Sequence, residues 1–362
     1  MIKQISVSVI VPVYNGEFHI KKILEVLLKQ DFTESYEIIM VDDGSTDNSF
    51  ELIKKCNLAN VKLFSLSSNS GPSAARNLGL KKAIGEYVFF IDVDDSIEKN
   101  TLSTLYNTSK QTDCDFVCTD FKRIENLENQ RDGRFNYPSD MEFDSKGIIQ
   151  AMRRELHDPS LGHLGLFGCN GRLIRRSIII NNNISFEEKL RLFEDKTFCW
   201  DVLGFVRSAR YIRKQLYSYY VFPKVQTAIT EIINRGFPLE YIKLINSHIQ
   251  NSLKRRGTSE EEIEKLSQQG LIFNTIQLLV SASRSMALGK VDIAKGKKFR
   301  RGMIKEVLND TEILKAIGNY LPSKKESQFI PRAIALRSRI LLEIACNLRA
   351  KKVIKNRRTG VN

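Results

Sequence analysis

Phe89-Phe90-Ile91-Asp92-Val93-Asp94-Asp95 is the stretch of this sequence that decides the fold. Its apolar half is typical of a buried strand, and its second half places three carboxylates together where that strand ends. Crowded carboxylates repel each other unless a cation lies among them, and Mg²⁺ or Mn²⁺ is commonly held by one or two carboxylates together with substrate phosphates. The stretch therefore predicts a site for a metal ion and a diphosphate. A solvated acidic turn is the alternative.

Three further short segments with apolar strand patterns, within residues 7–16, 36–41 and 61–66, precede this stretch and alternate with helix-like patterns. We expect the first segment to break at Pro12. Short strands that alternate with helices predict βαβ units and an α/β fold. Ligands of such sheets bind beyond the carboxyl ends of the strands. The polar residues that follow the four strands should therefore converge on one crevice.

Several classes of protein are disfavoured by the same sequence. It contains no Gly-x-Gly-x-x-Gly turn and no Gly-x-x-x-x-Gly-Lys-Ser/Thr loop, so neither dinucleotide nor P-loop binding is supported. Its 6 cysteines show no Cys-x-x-Cys spacing, which is typical of reduced thiols in the cytoplasm and not of a zinc site. The chain shows no signal-peptide pattern and no apolar stretch long enough to cross a bilayer, so we expect a cytoplasmic protein.

Four segments, taken in their order and spacing, resemble the inverting family 2 glycosyltransferases, which have the GT-A fold. They are Val9 to Asn15 (VIVPVYN), Val41 to Asp47 (VDDGSTD), Gly71 to Gly79 (GPSAARNLG) and Phe90 to Asp95 (FIDVDD). The resemblance is close over residues 1–125 and continues more weakly to about residue 225. It implies a Rossmann-like mixed sheet flanked by helices.

The resemblance also implies a UDP-sugar donor and a Mn²⁺ or Mg²⁺ cofactor. In that family an Asp-x-Asp motif, here Asp92 and Asp94, holds the metal and the diphosphate, with Asp94 as the direct metal ligand. Either Asp42 or Asp43 contacts the uracil, and the sequence leaves open which of the two does so. The residues expected around the donor are Pro12, Tyr14, Asn15, Asp42, Asp43, Arg76, Asp92 and Val93.

For two of these residues, the chemistry of the side chain also supports a contact with the donor, and another role is possible for each. A tyrosine ring at position 14 can stack on a base, and an arginine at position 76 can pair with a phosphate. Tyr14 could instead pack against the first helix, and Arg76 could form an ion pair on a helix surface.

Glycosyl transfer with inversion needs a base that deprotonates the acceptor hydroxyl. The resemblance implies that Glu194 and Asp195 open a helix, with Asp195 as the catalytic base and Glu194 assisting. The alternative is that both acids lie there because the helix dipole favours negative charge in a first turn. The chain departs from the family at Asn170 and Arg172, where an aromatic residue and a lysine are usual.

Beyond residue 230 the pattern becomes helical, and we predict a GT-A catalytic domain over residues 1–228 and a basic α-helical domain over residues 229–362. Residues 1–125 hold 14 Lys and Arg against 18 Asp and Glu, whereas residues 295–362 hold 18 against 5. One basic cluster is Lys297, Lys298, Arg300 and Arg301. A second, Arg349, Lys351, Lys352, Lys355, Arg357 and Arg358, follows the apolar positions Ile340, Leu341, Leu342, Ile344 and Ala345. A basic amphipathic helix is typical of binding to an anionic membrane surface. A solvated basic tail is the alternative.

The sequence thus predicts a metal-dependent inverting glycosyltransferase at the inner face of a bacterial membrane. Its acceptor is expected to be a hydroxyl of a lipid-linked or growing surface glycan, such as capsule or lipopolysaccharide. The alternatives are a nucleotide-sugar-binding protein without transferase activity and a nucleic-acid-binding protein, although the basic tail lacks interleaved aromatic residues. The sugar, the linkage and the oligomeric state do not follow from the sequence.

Overall fold

A computed structural model describes residues 4–124, 130–131, 137–157, 166–221, 228–236, 239–322 and 328–359. The chain forms two compact units, residues 1–150 with 162–223 and residues 151–161 with 224–362. Compactness alone does not establish independent folding, so the predicted domains 1–228 and 229–362 stay a prediction.

The described part of the first unit contains a sheet of ten strands with helices around it. The strands are β1 (Val7–Val13), β2 (Tyr36–Asp42), β3 (Val61–Ser65), β4 (Tyr87–Phe90), β5 (Ser96–Ile97), β6 (Phe116–Ile124), β7 (Gln130–Arg131), β8 (Met141–Phe143), β9 (Arg172–Arg175) and β10 (Ala209–Tyr220). The helices are α1 (Glu17–Leu28), α2 (Ser49–Lys54), α3 (Pro72–Lys82), α4 (Thr101–Thr112), α5 (Ser145–His157), α6 (Arg176–Asn181) and α7 (Glu194–Leu203).

The strand order is β3-β2-β1-β4-β9-β6-β10-β5, with β7 paired to β6 and β8 paired to β10. The first four strands in this order are parallel, whereas β9 lies antiparallel between β4 and β6. This arrangement confirms the predicted α/β fold with a mixed sheet. Because β1, β2 and β4 are parallel, their carboxyl ends meet at one edge, and the loops that follow them are neighbours.

The expected break at Pro12 is wrong, because β1 continues to Val13 and Pro12 pairs with Val41 of β2. The carbonyl of Ile10 faces β4, because it accepts a hydrogen bond from the N–H of Ile91 at 3.2 Å. Residues two apart in a strand turn their backbone groups to the same side, so the nitrogen of Pro12 also faces β4. β4 ends at Phe90, which pairs with Ile10, so no residue of β4 lies opposite Pro12. The N–H that proline lacks therefore costs the sheet no hydrogen bond between these strands.

Apolar residues on one face of the sheet pack against α1 and fix the strands in place. Val9 and Val11 of β1 lie in one core cluster with Ile23 and Leu27 of α1, and all four are fully buried. Ile23 and Leu27, four apart in a helix, share one face of α1, and Val9 and Val11, two apart in a strand, share one face of the sheet, so each pair presents both side chains to the same interface. The core therefore fixes the carboxyl ends of the strands, where the polar residues lie.

The second unit is helical in the residues described. Its helices are α8 (Ala228–Arg235), α9 (Leu239–Arg255), α10 (Glu260–Ala287), α11 (Ile293–Asn309), α12 (Thr311–Asn319), α13 (Phe329–Ala335) and α14 (Arg339–Thr359). Ser259 caps α10 by accepting a hydrogen bond from the N–H of Glu262 at 3.4 Å. None of the helices described here or in the first unit is long and apolar enough to cross a membrane.

Candidate active site

The acidic turn, residues 92–95, follows β4 directly. Asp92 has both of its carboxylate oxygens engaged: Arg76 Nη2 donates to Oδ1 at 2.8 Å and Asn170 Nδ2 donates to Oδ2 at 2.8 Å. Asn170 reaches this position because it forms a bridge with Phe90, the last residue of β4. Two partners thus hold the Asp92 carboxylate in one orientation.

Asp95 is buried and connects the acidic turn to β10. Its Oδ2 accepts a hydrogen bond from the Tyr217 hydroxyl, and its Oδ1 accepts one from the N–H of Tyr220 at 3.0 Å. The Tyr217 hydroxyl also accepts the N–H of Asp92 at 3.4 Å. Burial and the charge of Asp92 raise the pKa of Asp95 to about 8. Asp95 is not among the predicted metal ligands, and it anchors the turn to β10.

Asp94 is the carboxylate of the acidic turn with no hydrogen bond to another residue in the part of the chain that the structure describes. Burial and the charge of Asp92 raise its pKa, while His19 and Lys22 of α1 lower it. Within the same described residues, no group of three or more His, Cys, Asp and Glu side chains is placed to hold a metal ion. Asp94 and Asp92 fit the kind of Mg²⁺ or Mn²⁺ site that substrate phosphates complete.

Arg76 lies on α3 and connects the acidic turn to the start of α7. Its side chain is buried, and its Nη2 and Nη1 lie 2.8 Å from Asp92 Oδ1 and 3.3 Å from Glu194 Oε1. The guanidinium also lies over the ring of Phe186, 5.4 Å from its centroid. Nε is buried without a hydrogen-bond partner. Arg76 therefore engages two carboxylates, and its contact with a donor phosphate stays a prediction.

Glu194 and Asp195 are the first two residues of α7. They follow Phe193, a non-glycine residue with φ of 67°, a conformation that is costly for a bulky side chain and that concentrates at functional sites. Burial and the neighbouring Asp195 raise the pKa of Glu194 to about 7, and Arg76 lowers it. A Cβ on Gly168 would lie 3.9 Å from Asp195 Oδ2, so a small residue leaves space beside this carboxylate.

The two aspartates after β2 have different environments. Asp43 accepts hydrogen bonds from the N–H groups of Ser70 and Gly71, at 2.7 and 2.8 Å, and so holds the start of α3. Asp42 Oδ2 accepts the N–H of Ser45 at 3.2 Å, whereas its Oδ1 is buried without a partner. A buried, unpaired carboxylate oxygen is costly, and a ligand N–H would satisfy it. The geometry favours Asp42 for a nucleobase contact.

Of the residues in and after β1, Asn15 has a structural role, whereas the roles of the others are not fixed by their contacts. Asn15 has φ of 49°, and its Oδ1 accepts the N–H of Thr46 at 2.8 Å, which joins the loops after β1 and β2. Tyr14 is 46 % exposed, so part of its ring is open to solvent. Val93 packs beside Gly16, and Pro12 lies half-buried in β1. The predicted donor contacts of these residues stay predictions.

Three residues at the site were not assigned a role from the sequence. Asn170, which precedes β9, and Tyr217 of β10 hold the acidic turn through contacts between distant segments that no local pattern indicates. The third is Arg191, whose guanidinium lies where a side chain on Gly71 would project. Burial raises the pKa of Asp43, and the positive charge of Arg191 partly opposes that rise. The sequence signal for this arrangement is Gly71 itself. Its φ of 97°, at the turn where α3 begins, is a conformation that favours glycine.

Comparison with known proteins gives a family for this geometry. The model of the family described as Glycosyl transferase family 2 matches residues 8–209. The poly(ribitol-phosphate) beta-N-acetylglucosaminyltransferase TarS of Staphylococcus aureus strain Mu50 is 33 % identical over 203 residues, which are 53 % of this chain and 31 % of TarS. The uncharacterized glycosyltransferase YibD of Escherichia coli K12 is 31 % identical over 251 residues, 66 % of this chain and 69 % of YibD.

A solved structure supports the fold over nearly the whole chain. The crystal structure of S. aureus TarS 1–349 in complex with UDP-GlcNAc superimposes with a TM-score of 0.66 and 21 % identity, and the match covers 99 % of this chain and 93 % of that one. The chain spans only about a third of the full length of TarS. Because the family model covers more than half of its residues, the protein belongs to glycosyl transferase family 2.

Proposed function

We propose that this protein is a metal-dependent inverting glycosyltransferase that moves a sugar from a UDP-sugar to a hydroxyl of a lipid-linked or growing surface glycan. The observation that carries the proposal is the position of Arg76, whose two terminal nitrogens lie 2.8 Å from Asp92 and 3.3 Å from Glu194. The acidic turn and the start of α7 are thereby adjacent, as a reaction needs when it has a diphosphate leaving group and a carboxylate base.

In this proposal Asp195 removes the proton of the acceptor hydroxyl while the hydroxyl oxygen attacks the anomeric carbon. The bond from that carbon to the diphosphate oxygen breaks, and its electron pair leaves with UDP. Asp195 lies in the first turn of a ten-residue helix, directly after Glu194. Glu194, paired with Arg76, fixes the start of that helix relative to the acidic turn.

Asp94 and Asp92 are the residues that would hold the metal. Bound there with the donor, a divalent cation would stabilise the negative charge that develops on the departing diphosphate. The arrangement supports Asp94 as the direct ligand, because Asp92 already has a nitrogen donor from another residue on each oxygen, whereas the donor to Asp94 is its own backbone N–H. Asp92 then orients the turn that presents Asp94.

The donor is proposed as a UDP-sugar on two grounds. The unpaired Oδ1 of Asp42 can accept the N–H of uracil, and the exposed ring of Tyr14 can stack on the base. TarS, with which this chain shares its fold, has been crystallised with UDP-GlcNAc, so UDP-N-acetylglucosamine is the first donor to test. The acceptor is proposed at a membrane because of the basic second unit.

The test is a panel of UDP-N-acetylglucosamine, UDP-glucose and UDP-galactose, assayed for UDP release with Mn²⁺, Mg²⁺ or EDTA. We expect one donor to be hydrolysed slowly in the presence of metal, and the rate to fall at least about a hundredfold in Asp195→Asn and in Asp94→Asn. Glu34→Gln, an exposed carboxylate of the same unit, is the matched control and should keep the wild-type rate.

Two results would overturn the proposal. One is a wild-type rate in Asp195→Asn, which would remove the base. The other is turnover that EDTA and Asp94→Asn leave unchanged, which would remove the metal. Circular dichroism of each variant checks that a lost rate is not a lost fold.

A further inference from the structure

A basic groove lies in the second unit, between α11 and the turn that joins α13 to α14. Its volume is about 490 Å³, and its lining includes the four cationic side chains Arg301, Lys305, Arg337 and Arg339 and no acidic residue. Ile304 and Leu308 provide its apolar part. All four cationic residues are exposed, so the groove is open to solvent and strongly positive.

The positive charge of this groove is only partly balanced. Glu343, outside the lining, lies 3.2 Å from Nε of Arg339 and 3.6 Å from Nε of Arg301. Lys305 and Arg337 form no ion pair with any residue that the structure describes. Two cations therefore remain available to an external anion, while Glu343 orients the other two.

An apolar stripe borders the groove. Ile340, Ile344 and Leu348 lie on one face of α14 at intervals of four residues and are 73 %, 45 % and 56 % exposed. Leu336, 68 % exposed, lies just after α13 and before the turn that leads to this helix. The exposed Lys351 extends this face by a further turn. Isolated exposed apolar residues are ordinary, but three on one helix face, with a fourth just before the helix and a cationic groove beside them, mark a surface that meets another phase or molecule.

The helix α14 packs into the second unit by another face, so the apolar stripe is not part of the core. Leu342, Ala345, Cys346 and Ala350 are buried, and α14 packs against α10 and α13. The helix is thus anchored by one face and presents the other to solvent. Arg300, which the sequence grouped with the surface cluster, belongs to the anchored side, since it is buried and donates to Ser283 Oγ at 2.9 Å.

We propose that the basic groove and the apolar stripe together bind an anionic bilayer surface, with lipid phosphates in the groove and the stripe at the boundary of the acyl chains. Amphipathic helices bind membranes in this way, by burying an apolar face while basic residues pair with anionic headgroups. The inference deepens the proposed function, because it rests on an acceptor at a membrane. Its readout is vesicle binding, which does not require transferase activity.

The experiment compares the full chain on vesicles of phosphatidylglycerol with phosphatidylcholine and on vesicles of phosphatidylcholine alone. We expect binding to the anionic vesicles only, and a roughly 30-fold loss of affinity in the double variant Lys305→Glu, Arg337→Glu. The control is Lys265→Glu, Lys290→Glu, which makes the same change of net charge at exposed sites of the second unit outside the groove. Its affinity should stay within about threefold of wild type.

A second variant tests the stripe. Ile340→Ser, Ile344→Ser changes exposed side chains, so the fold should survive, and the binding that remains at high salt should be lost. Equal binding of the groove variant and its control, or equal binding of both kinds of vesicle by the wild type, would overturn the proposal. So would tighter binding of single-stranded RNA than of vesicles, lost in the groove variant, because the surface would then be a polynucleotide site.

UDP-sugar hydrolysis by the same variants separates this inference from the proposed function. The groove variant should hydrolyse donor at the wild-type rate while it fails to bind vesicles. Conversely, an Asp195→Asn variant that has lost donor hydrolysis should still bind anionic vesicles.

Discussion

At the scale of single residues, the site depends on one buried arginine between two carboxylates. Arg76 can hold Asp92 and Glu194 at once because its planar fork presents separate nitrogens, which a lysine does not. Removing the arginine would leave buried negative charge uncompensated, at a cost of about 3–5 kcal/mol. The sequence indicated a cation at this position but not its partners, because Glu194 lies 118 residues away in the chain.

Glu194 gives this pair a dependence on pH. Its pKa is raised from an ordinary value of 4.5 to about 7, chiefly by burial and then by the charge of Asp195. Folding therefore favours the protonated carboxyl. Between pH 4.5 and about 7 the unfolded chain loses this proton while the native protein keeps it, so the contribution of Glu194 to stability falls as the pH rises through that window.

We expect Glu194→Gln to remove this component. The difference in free energy of unfolding between wild type and variant should change by on the order of 2 kcal/mol between pH 4.5 and pH 7.5, with the wild type losing stability relative to the variant. Urea unfolding at a series of pH values measures it. Parallel curves for the two proteins would mean that Glu194 titrates near its ordinary value.

At the scale of elements, the sequence predicted what is local and missed what joins distant segments. Each of the first four strands is a short apolar run bounded by polar residues, and all four lie where the pattern placed them. The insertion of β9 between β4 and β6 depends on pairing across more than fifty residues, which no period in the sequence encodes. Asn170 and Tyr217 reach the acidic turn only through such pairings, so their roles could not be predicted.

The connection between β10 and the acidic turn yields a prediction. Tyr217→Phe removes the hydroxyl that donates to Asp95 and accepts the N–H of Asp92, and it leaves the buried Asp95 carboxyl and the half-buried Asp92 N–H without that partner. We expect a loss of about 1–3 kcal/mol in free energy of unfolding and a lower turnover number, because the turn that carries Asp94 loses its support.

Urea unfolding and donor hydrolysis measure the two effects. Tyr106→Phe is the control: this residue lies on α4, and its hydroxyl has no hydrogen bond to any residue that the structure describes, so the change should affect neither quantity. A Tyr217→Phe protein with the wild-type unfolding midpoint and rate would show that the hydrogen bonds at Asp95 do not position the turn.

At the scale of the whole molecule, charge and fold are divided between the two units. The acidic excess lies in residues 1–125, which contain the turn that needs a cation, and the basic excess lies in residues 295–362. The sequence predicted this division and the helical character of the second unit. It could not predict which basic residues reach the surface, because that depends on helix packing: Arg300 is buried while its neighbour Arg301 lines the basic groove.

The same packing decides how the second unit can be tested. A truncation before Arg332 would remove the basic groove's Arg337 and Arg339, but it would also remove Ile334, Leu342 and Cys346, which are fully or almost fully buried. Burial of each such side chain contributes about 1.5–3 kcal/mol, so the loss is about 5 kcal/mol or more, comparable with the whole stability of many domains.

We therefore expect the truncated chain to lose the cooperative unfolding of its second unit, measured as a drop in helical signal and in the urea midpoint, whatever the unit binds. Full-length Ile344→Ser, which changes the exposed face of the same helix, should keep the wild-type midpoint. If the truncated chain unfolds at the wild-type midpoint, α14 is dispensable for the fold, and its buried face must then be stabilised less than its burial indicates. If it does not, loss of membrane binding on truncation says nothing about lipids, and only the exposed-face variants can identify the surface.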